Sequence, residues 1–142
     1  MTKGEHMRNP DFKKSALAAF IALTLAFLLL IVSCALPEAV ICTVYERAVP
    51  MLELAVRAAE QDDFSSSAAY AEEAAAYLSN NARLLMLFFE HNEVFELLGA
   101  VESAYRIAKK EDAAQLLDDL CSAMTLLEVM LRIHEASLIN LF

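Results

Sequence analysis

Glycine occurs twice and proline three times in 142 residues, and tryptophan does not occur at all. That is too little turn chemistry for a many-stranded sheet, so long helices are the economical reading. Three cysteines do not make a disulfide scaffold or a zinc ribbon. With Gly4 and Gly99 as the only glycines, there is no phosphate-cradling loop and no dinucleotide fingerprint. Ser65, Ser66 and Ser67 form a run with no base nearby, which argues against a serine hydrolase and for the first turn of a helix. Disorder is excluded by an apolar share of 58%. The length fits one domain.

What is abundant is apolar surface. Mean hydropathy is +0.44, and the apolar share exceeds the roughly 45–50% of ordinary soluble domains, so part of the chain is expected to face lipid. The run SALAAFIALTLAFLLLIVSCALP, Ser15 to Pro37, carries no charge. As a helix it spans about 34 Å against a hydrocarbon core of about 30 Å, the length of one transmembrane helix. Residues 1–14 hold four cations (Lys3, Arg8, Lys13, Lys14) against two anions, whereas residues 38–142 hold seven against eighteen, leaving −11 of the total −9 there. The positive-inside bias therefore predicts a cytoplasmic tail (1–14), a transmembrane helix (15–37) and an extracytoplasmic helical domain (38–142). So acidic a surface is a poor partner for nucleic acid.

A removable signal peptide has the same basic start and apolar stretch, but its apolar region is typically about 7–15 residues, shorter than this one. Ile31-Val32-Ser33-Cys34 resembles a bacterial lipobox; cut there, Cys34 would carry a lipid in place of the helix. The length of the run favours the uncleaved anchor.

Beyond the run, apolar residues recur at three- and four-residue steps. Ile41, Tyr45, Ala48, Leu52, Ala55 and Ala59 predict a helix over about 38–60, with Pro50 inside it producing a kink or a restart near Val49. Phe64, Ala68, Ala71, Ala75, Leu78, Ala82, Leu85 and Phe89 predict a second, capped by Asp62 or Asp63 and running to about Glu90. Asn92 is the expected cap of a third that ends near Lys109 and Lys110, and Glu111 and Asp112 open a fourth over about 112–140 with Leu116, Leu120, Met124, Leu127, Leu131 and Leu138 on one side. No repeat stands out. The expected fold is all-α: a small antiparallel bundle of about four helices after the transmembrane helix, with a pair of hairpins like helical repeats as the alternative.

Phe88-Phe89-Glu90-His91-Asn92-Glu93, an amphipathic helix, a Lys-Lys-Glu-Asp break and a long last helix ending Asn140-Leu141-Phe142 together resemble the uncharacterised bacterial family known as domain of unknown function 4363. The resemblance covers roughly residues 15–142, with His91 and Asn140 at its recognisable positions. It implies a membrane-associated protein with spore-forming Gram-positive relatives and brings no catalytic residue.

Few residues suggest chemistry. His91 with Glu90 and Glu93, and His134 with Glu135, are weak candidates for metal ligation, but they match no zinc spacing. His91 reads better as a cap in the last turn of the second helix, and His134 as a core residue on the leucine stripe. Counting about 1.5 Å per residue puts Cys42 and Cys121 at a similar depth, where they are either a disulfide or two small buried hydrophobes. The acidic pairs Asp62/Asp63, Glu72/Glu73, Glu111/Asp112 and Asp118/Asp119 lack an EF-hand spacing and read as caps and solvated faces. Leu84, Leu85, Met86, Leu87, Phe88 and Phe89 exceed what one helical stripe buries, which marks Leu84, Leu87, Phe88 and Phe89 as a candidate interaction patch. The expected function is a non-catalytic interaction or structural module at the bacterial cell envelope, without a cofactor. Its expected partners are the lipid bilayer and a protein partner or second copy. The alternative is an extracytoplasmic bundle that senses a small ligand or metal.

Overall fold

The computed structural model describes the backbone of residues 10–139 and the side chains of residues 15–33 and 35–133. The described residues form four helices and no strand: α1 (Pro10–Glu60), α2 (Phe64–Leu85), α3 (His91–Ala108) and α4 (Ala113–Ile139). The chain divides into two compact units, Met1–Ala35 and Leu36–Phe142.

Helix α1 corrects the expectation of a transmembrane helix followed by a separate helix from Glu38. It is continuous over 51 residues, through both Pro37 and Pro50, and does not restart near Val49. Proline in a helix interior removes one backbone bond and costs about 3 kcal/mol. Here Pro50 sits on the exposed side, so its ring stays off the packed stripe. Burial of Ile41, Val44, Ala48, Leu52, Ala55 and Ala59 along that stripe offsets the cost. Pro10, at the first position of the helix, lacks an N–H that would be unpaired there in any case.

Within the C-terminal unit α1 and α2 are antiparallel neighbours. The Ser67 hydroxyl donates to the Ala55 carbonyl at 2.8 Å and the Tyr77 hydroxyl to the Thr43 carbonyl at 3.5 Å, so positions along α2 rise as those along α1 fall. The turn between them is closed by Asp62 in the left-handed region (φ 59°), with Asp63 N–H bonded to Ala58 O and Asp62 N–H to Ala59 O. That double closure satisfies carbonyls the helix end would otherwise leave unpaired. Asp63 then caps α2, its Oδ1 accepting from the Ser66 amide at 3.0 Å, and the serine run is the first turn, as expected.

Helix α2 stops at Leu85, five residues before the expected Glu90. Met86, Leu87, Phe88 and Phe89 tighten into turns that bond back to Ala82, Leu84 and Leu85, and Glu90 is extended (φ −62°, ψ 137°). In these turns Leu87 is turned out, while Phe89, the last residue of the expected α2 stripe, is a core residue. Helix α3 packs against both α2 and α4.

The two halves of the C-terminal unit repeat one another at an offset of 49 residues, contrary to the expectation of no repeat. Asp63 and Asp112 both cap a helix through the amide three residues on. Asp62 and Glu111, one residue earlier, both adopt φ 59°. Burial follows the same offset: Ala48 and Leu97, Leu52 and Val101, Ala55 and Ala104, Ala59 and Ala108, Ala71 and Leu120, Ala74 and Ala123, and Leu78 and Leu127 are all core residues. Eight positions are identical, among them Glu53/Glu102, Arg57/Arg106, Asp63/Asp112 and Arg83/Arg132. The α1–α2 and α3–α4 segments are thus two versions of one helical hairpin, joined through the α2–α3 contact into a single core.

Candidate functional site

The most distinctive surface of the molecule is the first part of α1. Every described side chain from Ser15 to Ser33 is exposed, mean hydropathy reaches 2.8, and none of that stretch is buried by the rest of the chain. Leu23 (70%), Phe20 (67%) and Leu29 (64%) are bare on different sides of the helix. The Thr24 hydroxyl, the polar group nearest the middle, donates to the Phe20 carbonyl at 2.9 Å and so brings no unpaired donor into an apolar medium. The helix is long and apolar enough to cross a membrane.

The expected patch divides. Leu87 is 73% exposed and Leu84 41%, Phe88 is partly buried, and Phe89 is a core residue, so Phe89 is removed from any contact surface. Its burial is what its place on the α2 stripe, four residues after Leu85, predicted.

His91 is corrected as well. It is the first residue of α3 rather than part of the last turn of α2. There it meets free N–H groups, not free carbonyls, and a positive charge would oppose the helix dipole. The cap residue is Glu90, not Asn92, and no side chain closes that end. The side chains of His134 and Cys34 and all of Asn140 lie outside the described residues. Among the described residues no three His, Cys, Asp or Glu side chains cluster as metal ligands.

Cys42 and Cys121 do not form the disulfide that their similar depth along the helices suggested: Cys42 is half-buried and Cys121 exposed. The depth estimate placed them along the helix axis but said nothing of which way each side chain turns about it. Of the acidic pairs, Asp63 and Asp112 are caps as expected. The Ser66 hydroxyl and amide, both bonded to the ionised Asp63 carboxylate, hold its pKa below the usual 3.8. Asp119 departs from a solvated role, since its Oδ2 is buried without a hydrogen-bond partner.

A shallow groove of about 520 Å³ runs between α2 and α3. Ala75, Ala76 and Ser79 face Leu98 and Gly99 across it, with Phe95 and Tyr105 as aromatic walls and Glu72 and Glu102 as acidic rims. A Cβ on Gly99 would meet nothing within 4 Å. The floor of the groove on the α2 side is made by the small residues Ala75, Ala76 and Ser79. Compared with known protein families, curated proteins and solved structures, the chain matches none.

Proposed function

We propose that this protein is a membrane-anchored, non-catalytic helical module of the bacterial cell envelope. In this reading the N-terminal residues are cytoplasmic, Ser15–Pro37 spans the bilayer once, and the C-terminal unit is an extracytoplasmic antiparallel helical bundle that meets a protein partner or a second copy. The observation that carries it is the stretch from Ser15 to Ser33, apolar and exposed on every side. A core helix of a water-soluble domain buries such a surface; a helix in lipid does not need to. The excess of cations before the run and of anions after it supports the orientation. The sequence offers no motif that sets a nucleophile, a base and an orienting group together, which is the ground for reading the module as non-catalytic.

Intact mass of the protein recovered from native membranes after alkaline carbonate washing tests this reading. A full-length mass in the membrane pellet is expected. Recovery in the soluble fraction overturns the anchor, and a lipidated chain beginning at Cys34 replaces it with a lipoprotein.

A further inference from the structure

The height of each residue in the C-terminal unit is fixed by the α1–α2 register. Ala55 lies opposite Ser67 and Thr43 opposite Tyr77. Seven residues further along each helix, about 10 Å, come Leu36 on α1 and Leu84 on α2. Leu84 is therefore level with Leu36, the first residue of the unit and part of the apolar run. Leu87 lies just past that level, in the turns that follow α2.

This end of the unit is unusually bare. Leu36 is 48% exposed, Leu84 41% and Leu87 73%, the highest value for a large apolar residue among the described residues of the unit. An apolar side chain at a loop tip costs nothing in lipid and is unfavourable in water. We propose that the α2–α3 connection is a second lipid contact, in which Leu84 and Leu87 enter the interfacial layer of the leaflet that the run leaves at Leu36. This rests on the reading of Ser15–Pro37 as a membrane span. The height of the loop relative to Leu36 is set inside the C-terminal unit, and Leu36 is itself a residue of the run, next to its last, Pro37.

The charges at this level show which part of the lipid is recognised. Arg83 precedes Leu84, and its long side chain can keep its charge at the headgroups while its stem lies on apolar surface. Glu38, Glu90 and Glu93 stand at the same end. With anions outnumbering Arg83, headgroup charge is not the attraction. The loop recognises the acyl boundary, and neutral phosphatidylcholine suffices.

The test uses the full chain with its three cysteines replaced by alanine and a single new cysteine, Leu87→Cys, carrying an environment-sensitive fluorophore. Leu25→Cys in the run and Lys110→Cys in the α3–α4 turn serve as references. Each protein is reconstituted in phosphatidylcholine vesicles containing lipid with a doxyl quencher high on the acyl chain. The expected result is that the label at 87 loses most of its fluorescence to the doxyl lipid, that the label at 110 keeps its fluorescence, and that added salt changes neither. If the label at 25 is shielded from aqueous iodide while the label at 87 is as open to it as the label at 110, the run spans and the loop does not dip, which overturns the proposal alone. If the label at 25 is also open to iodide, the membrane reading fails and the proposal falls with it.

Discussion

The two hairpins make a matched pair of core truncations informative. Leu78 on α2 and Leu127 on α4 are 49 residues apart, both 0% exposed and both in the one core cluster. Leucine to alanine removes three carbons, about 2.4 kcal/mol at roughly 0.8 kcal/mol per buried CH₂ before any cavity is counted. The cavity adds to this, and core Leu→Ala changes span about 2–5 kcal/mol. Leu78 shares its stripe with Ala71, Ala74 and Ala82, whose short side chains have little to move into the void. About 3 kcal/mol is expected for Leu78→Ala. Leu127 has Leu120 and Met130 on its stripe, and Met can shift to fill space, so Leu127→Ala is expected to cost slightly less. Against a total of about 5–15 kcal/mol, either loss is large. Urea titration of residues 36–142, followed by helical circular dichroism, reads the change as a shifted midpoint at constant slope. A loss below about 1 kcal/mol for either variant would refute the burial argument. Two separate transitions in either variant would refute the single core.

Three further outcomes follow from named features. Replacing Leu25 and Leu28 together by Arg places two charges near the middle of the apolar run at about 2.5–3.5 kcal/mol each, comparable to the total favourable insertion energy of its Leu, Ile, Phe and Val residues; the double variant is expected to leave the membrane pellet, and full retention after carbonate washing sinks the anchor. Gly99→Ala is expected to raise stability by about 0.4–1 kcal/mol, since the site is inside α3 and the new methyl meets open space; a lowered melting temperature contradicts the open groove at Gly99. Asp63 has a lowered folded pKa, so its contribution is present above the ordinary carboxylate range and lost as pH falls through the folded value. Asp63→Asn retains an acceptor for the Ser66 amide but cannot titrate. It should flatten the acid limb of the stability curve, and an unchanged limb in a pH series of thermal melts contradicts the assignment.

The period of the apolar residues made the helices readable, because a stripe at steps of three and four has one geometric solution. Leu116, Leu120 and Leu127 on α4, and Ala71, Leu78 and Leu85 on α2, are core residues as their spacing predicted. Asp63 was readable too, since a carboxylate just before an apolar stripe is the ordinary way to satisfy free amides. The end of α2 was not. Met86 to Phe89 continues the apolar pattern, and Phe89 falls on the core stripe whether or not the helix goes on, so the spacing carries no stop signal. The stop is tertiary, and it also moved His91 from a helix end to a helix start. The 49-residue repeat was hidden for another reason: Ala48 answers to Leu97 and Ala71 to Leu120, so the two halves share positions and caps more than side chains. The disulfide failed because height along a helix constrains one coordinate of a side chain and leaves its azimuth free.

The short connection between α1 and α2 also shapes how the chain is made. Residues 61–63 suffice to bring Ser67 against Ala55, so the ordering entropy of that contact is small and the pair closes early. On the ribosome the first hairpin has all its residues once Leu85 has emerged, while α3 is still held in the exit tunnel. During that interval the side of α2 that later receives α3 is bare, and the nascent chain holds a half-built core whose second half is still being synthesised. The second hairpin, sharing the same turn chemistry at Glu111 and Asp112, then docks onto a surface already in place, and synthesis from the N-terminus sets the order of assembly.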